Sequence, residues 1–172
     1  MNKKSRAYNY TISVLFIAIG VALPFLTENA AKLSLMHIPV LLSGYVLGGK
    51  YGLIVGFITP LVRSFMYGMP IMFPEAIAMS FELAIYGIVA GSLYRALPKR
   101  RISIIIALVL AMLAGRIVWG GVSLLLWRMQ GKTFTFAIFM TSAFINGILG
   151  IILHILLIPT IVIGLKKVKI IT

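Results

Sequence analysis

The chain has 172 residues, 61% of them hydrophobic and 11% charged, with a mean hydropathy of +1.09 and a formal net charge of +13. Soluble domains carry roughly 25% charged residues, so this composition excludes a soluble fold and predicts one all-α integral membrane domain spanning residues 1–172. The absence of cysteine excludes disulfides, thiolate metal sites and a cysteine nucleophile, and positive charge gathered between apolar runs points to membrane topology and anionic lipid rather than nucleic acid.

A membrane-crossing helix needs about 20 apolar residues, fewer where protein buries it. Six segments fit that description. The basic start Met1-Asn2-Lys3-Lys4-Ser5-Arg6 leads into the first, from about Tyr8 to Leu26. It is read as a retained helix, because no small-residue cleavage site follows it. The second is short, about Met36 to Gly48, and contains Pro39 and Gly44. The third runs from about Tyr51 to Tyr67 around Pro60. Gly48-Gly49-Lys50-Tyr51-Gly52 reads as a tight turn between these two, which look like a broken pair. The fourth spans about Pro74 to Leu97, the fifth about Ile102 to Trp127, and the sixth about Phe136 to Leu165.

Basic residues orient this six-helix bundle. Lys3, Lys4 and Arg6, then Lys50, then Arg95, Lys99, Arg100 and Arg101, and finally Lys166, Lys167 and Lys169 all fall on one side after six crossings. That side is expected to be cytoplasmic, with both termini. The other side receives Glu28 and Lys32, the loop Gly68 to Phe73, and Arg128 with Lys132.

Ionisable groups inside a membrane segment are costly and mark functional sites by default. The chain has three acidic residues, Glu28, Glu75 and Glu82. Glu82 falls roughly 12 Å below the outer end of the fourth segment at ~1.5 Å per residue. Glu75 lies two turns above it on the same face, with Met79 between. Arg63 falls about 7 Å below the outer end of the third segment, Arg116 roughly 17 Å below Trp127, and Asn146 about 15 Å below Phe136. Trp119, Gly120 and Ser123 continue the Arg116 face, and His37 is expected at the outer end of the second segment. The glutamates either contact a solute or pair with Arg63 or Arg116. Trp119 is either core or a stacking surface, and Met66, Met69, Met72 and Met79 are either adaptable packing around a ligand or ordinary core. Trp127 reads as an interfacial aromatic. His154 is expected deep toward the cytoplasm, structural and far from His37. A polar cluster confined to the outer half predicts a pocket that receives a solute from outside, since a through-channel needs polar lining along its whole length.

Three blocks of sequence bear on family. Ala18-Ile19-Gly20-Val21-Ala22 forms an Ala-x-x-x-Ala pattern. His37-Ile38-Pro39-Val40-Leu41-Leu42-Ser43-Gly44 and Gly48-Gly49-Lys50-Tyr51-Gly52-Leu53-Ile54-Val55-Gly56 follow in the second and third segments. With its length and basic ends, the chain resembles the substrate-binding S-components of energy-coupling factor (ECF) transporters over nearly its whole length. The resemblance implies a subunit that binds a water-soluble vitamin or precursor from outside. It implies a transmembrane coupling subunit docking on Ala18 and Ala22, and two cytoplasmic ATPases that use ATP and magnesium. It further implies toppling of the S-component in a bacterial plasma membrane, with the loops Thr27 to Leu35 and Gly68 to Phe73 as caps over the pocket. The chain has no Walker motif of its own, so neither cofactor nor ATPase chemistry is expected within it. Candidate ligand-binding residues are Glu82, Glu75, Asn146, Arg63, Arg116, Trp119 and His37. Their chemistry suits a small nitrogen heterocycle, hydroxymethylpyrimidine or a pyridoxine-like vitamer, with pantothenate as the competing ligand. A membrane-embedded enzyme acting on lipid is the alternative of another class. It lacks a His-Glu-x-x-His or serine-nucleophile signature. A solitary channel or secondary transporter is disfavoured by the apolar cytoplasmic half and by the lack of internal repeats.

Overall fold

The computed structural model describes residues 6–27, 33–98 and 100–168. Lys3, Lys4, Glu28, Lys32, Lys99 and Lys169 lie outside the described residues. All regular structure among those described is helical. Helix α1 (Arg6–Ala22) runs into a 3-10 turn at Leu23–Leu26. Helices α2 (His37–Leu47), α3 (Gly49–Tyr67), α4 (Ile77–Ala96), α5 (Arg101–Met129), α6 (Phe136–Met140) and α7 (Ile148–Lys167) follow. A π-helical turn at Met72–Ala76 leads into α4, and another at Thr141–Ile145 extends α6.

Among the described residues, four stretches are long and apolar enough to cross a membrane: Arg6–Leu26, Met72–Ala96, Arg101–Met129 and Ile148–Lys167. Helix α3 has 19 residues but is not among the four. Its glycines, Lys50, Arg63 and Ser64 dilute its apolar content. Helix α2, at 11 residues, covers only about 16 Å of a ~30 Å hydrocarbon core.

Helix α4 is the centre of the bundle and packs against α2, α3 and α5. The α3–α4 contact is backbone against backbone. A Cβ placed on Gly52 would sit 2.6 Å from the Gly87 carbonyl oxygen, and one on Gly87 would collide with the Gly52 backbone. Only glycine permits that approach. Helix α1 packs on α2 and α3, and α7 on α5 and α2.

The turn between α2 and α3 is tighter than the five-residue stretch expected. Gly48 alone separates the two helices, at φ +95°, a conformation that costs a residue with a Cβ dearly. Arg95 secures the reversal by donating from Nη2 to the Leu47 carbonyl at 2.6 Å.

Toward the basic end the interior is a plug of apolar and aromatic side chains. Leu41, Tyr45, Tyr86, Tyr94, Leu108 and Ile158 are fully buried there. Tyr45 packs edge-on against Tyr94 at 5.2 Å between centroids and donates its hydroxyl to the Ile104 carbonyl at 2.8 Å.

Candidate functional site

Two interruptions of helix shape the middle of the bundle. Helix α2 starts part-way down, after the turn Ser34–Met36, whose Ser34 adopts φ +49°. The α6 extension ends at Asn146 and Gly147, before α7 begins. Irregular backbone at such depth is tolerated where it lines a cavity or is buried by protein. A cavity of about 520 Å³ lies here, a size within the usual range for small-molecule sites.

All seven side chains expected from the sequence line this cavity: His37, Arg63, Glu75, Glu82, Arg116, Trp119 and Asn146. They come from five helical stretches, and no single segment could have shown them adjacent. Met69 and Met79 also line it, whereas Met66 and Met72 do not.

The floor is built on Glu82, which is 2% exposed. Its Oε1 accepts from the Tyr86 hydroxyl at 3.0 Å, one helical turn away. Arg116 Nη1 lies 3.3 Å from the same oxygen, and His37 Nε2 lies 4.0 Å from it. A buried carboxylate needs such partners, because an uncompensated one costs several kcal/mol, roughly 3–5 when one member of a pair is removed. Gly147 allows this pairing: a Cβ there would come within 3.1 Å of Arg116 Nη2. Both ring nitrogens of His37 and Nε of Arg116 are buried without a hydrogen-bond partner among the described residues. Buried polar atoms in that condition call for an explanation.

The walls differ from the floor. Arg63 donates from Nη1 to the Val21 carbonyl and holds its guanidinium 4.7 Å from the centre of the Phe25 ring. No ion pair joins it to a carboxylate among the described residues. Glu75 is exposed in the π turn at the rim. Trp119 is half-buried, backed by Phe139 at 6.3 Å and Phe134 at 6.0 Å between centroids. Asn146 is exposed at the helix break. Met69 and Pro70 from one expected cap loop, and Thr27, Ser34 and Leu35 from the other, complete the lining.

One expectation is corrected outright. His154 is not remote from His37: the two rings stack at 5.8 Å between centroids. The depth estimate placed His37 at the outer surface, but short α2 begins inside the bundle, with His37 only 4% exposed. His154 Nε2 donates to the Ser34 carbonyl at 3.2 Å and so braces the turn that delivers His37. The sixth segment is likewise not one helix from Phe136 to Leu165. It changes to a π turn at Thr141 and breaks at Asn146 and Gly147.

The family model for the substrate-specific component of ECF transporters matches residues 9–162. The chain belongs to that family. No curated protein and no solved structure matches it. As an ECF S-component it is a substrate-binding subunit of a membrane transporter, not an enzyme. S-components work with an ECF module of coupling and ATPase subunits.

The sequence reading missed Tyr86, which donates to Glu82, His154, which stacks on His37, and Ser142, which lines the S-component's cavity. Tyr86 was within reach, since it stands four residues after Glu82 and shares its helix face. His154 and Ser142 were not, because both depend on how α6 and α7 are broken.

Proposed function

We propose that this S-component binds a small, water-soluble vitamin or vitamin precursor without net charge in the cavity above Glu82. The best fit is a hydroxylated nitrogen heterocycle such as hydroxymethylpyrimidine or a pyridoxine-like vitamer. The observation behind this reading is the charge balance of the lining. Arg63 and Arg116 are matched by Glu75 and Glu82, and Arg116 already faces Glu82 at 3.3 Å. A neutral ring leaves that balance intact. It finds hydrogen-bonding groups in His37, Glu82 and Asn146, and a flat apolar wall in Trp119. Pantothenate is the second reading, because Arg63 has no carboxylate partner among the described residues and could receive one.

The chain crosses the bacterial plasma membrane six times in this proposal, with both termini cytoplasmic. Helix α2 and the α6–π unit count within those crossings. The apolar plug below the cavity blocks passage straight through, so delivery requires movement of the whole subunit. Toppling driven by two ATPases through the coupling subunit supplies that movement. Ala18 and Ala22 are exposed on α1 and give the coupling subunit a face for close helix contact.

Native mass spectrometry of the purified chain against a panel of water-soluble vitamins and precursors tests the reading. One-to-one binding of a neutral ring compound, without ATP, is expected. Selective binding of pantothenate would replace the first reading with the second. Binding of neither, with turnover of a lipid, would overturn both.

A further inference from the structure

His154 lies behind the solute cavity. It is 2% exposed and is not among the cavity's lining residues, yet it touches the wall at two places. Its ring stacks on His37 at 5.8 Å between centroids. Its Nε2 lies 3.2 Å from the Ser34 carbonyl oxygen. The same oxygen accepts the backbone N–H of His37 at 3.0 Å. A carbonyl has two lone pairs and no proton, so it serves both groups, and His154 must carry a hydrogen on Nε2. One acceptor thus ties the His37 backbone to the His154 side chain.

The surroundings of His154 argue against a plain packing role. Between Ile148 and Leu165 the only polar side chains are His154 and Thr160. Thr160 bonds back to the Leu156 carbonyl of its own helix at 2.7 Å. His154 instead reaches across to the turn Ser34–Met36. Phenylalanine or leucine would fill such a space without burying a polar ring, which is costly unless hydrogen-bonded. Gly150, four residues earlier on the same face of α7, makes the room. A Cβ there would meet Ser34 Oγ at 2.9 Å and the Leu33 carbonyl oxygen at 3.1 Å. Gly150 and His154 therefore form a seat for Leu33 and Ser34. Ser34 stands at φ +49°, a backbone region uncommon for a residue with a Cβ, and the seat holds it there. The start of α2 depends on that seat. His37 is its first residue and stands 4.0 Å from Glu82 Oε1.

We propose that His154 is a positioning residue for solute binding. From behind the cavity it fixes the Ser34 turn, and through that turn it sets the His37 imidazole beside Glu82. This role rests on the solute lying over Glu82, but the brace itself exists without solute.

Hydrogen exchange of the full chain in detergent tests the brace with no solute present. His154→Phe keeps a ring but removes the donor. In it the amides of His37 and Ile38 should exchange about tenfold faster, while those of α4 keep their native rates. His154→Gln, whose side-chain amide can still donate to the Ser34 carbonyl, should restore the native rates. Native rates at His37 and Ile38 in His154→Phe would overturn the proposal, and so would a His154→Gln variant as fast as His154→Phe. Should His154→Phe not fold, Gly150→Ala pushes the same turn off α7 with His154 in place. It is expected to show the same local acceleration, and native rates there would overturn the seat. Calorimetric titration with hydroxymethylpyrimidine, pyridoxine and pantothenate reads the consequence for binding. The compound that binds the native chain should bind His154→Phe about tenfold more weakly, the scale of one lost hydrogen bond, and His154→Gln nearly as well as the native chain. Equal affinity for a well-folded His154→Phe would overturn the positioning role. Binding of none of the three by the native chain would count against the solute reading alone, and hydrogen exchange would still decide the brace.

Discussion

Glu82 is held by a hydroxyl, a guanidinium and an imidazole that arrive from two neighbouring helices and from its own next turn. Removing the carboxylate strands Arg116 in a buried setting. Glu82→Ala is therefore expected to lower stability by about 3–5 kcal/mol. Glu82→Gln combined with Arg116→Met should recover most of that loss, since a neutral pair needs no compensation. Thermal unfolding in detergent decides this, and a single Glu82→Ala variant as stable as the parent would contradict it. The question posed by the sequence was whether the glutamates touch a solute or only neutralise arginines. Glu82 has its arginine, whereas Glu75 at the rim has none among the described residues.

Helix breaks decide how much could be read in advance. The stripe Glu75, Met79, Glu82 followed from spacing alone, and all three residues line the cavity. Arg116 and Trp119 followed equally well, being three apart on the uninterrupted α5. His37 and His154 did not. Their depth was estimated as if every segment were a straight rod, but α2 starts inside the bundle and α7 is offset by a π turn. Glycine spacing in α3 and α4 was visible in the sequence, yet its meaning needs both helices together. Gly87→Ala should drive a methyl group into the Gly52 backbone and cost about 1–3 kcal/mol, measured again by thermal unfolding. An unchanged midpoint would mean that the two helices are not in backbone contact. On α1, Ala18→Trp should leave solute binding intact and prevent co-purification with the coupling subunit. Normal assembly would remove Ala18 and Ala22 from the docking face.

The whole molecule is divided by its charges: all three acidic side chains belong to the solute-side half in the proposed topology, and the other end is purely basic. The native chain lacks cysteine, so single cysteines report sidedness without interference. Cysteine at Lys50 or Arg101 should react with an impermeant maleimide only from the cytoplasmic side, and cysteine at Arg128 only from outside. Labelling of Arg101 and Arg128 positions from the same side would refute the six-crossing arrangement. In the proposed topology the cavity lined by Glu82 lies toward the outer side, with the aromatic plug of Tyr45, Tyr86 and Tyr94 below it.

Membership of the S-component family and a cavity floored by Glu82 meet in one claim, that the solute sits against this carboxylate. Calorimetric titration of the compound found in the vitamin panel, into the native chain and into Glu82→Gln, tests it most directly. The account predicts one-to-one binding to the native chain without ATP. It predicts binding about ten- to a hundredfold weaker to Glu82→Gln, the range for losing a hydrogen bond to a charged group, with the variant still folded. Equal affinity for a well-folded Glu82→Gln would place the solute elsewhere.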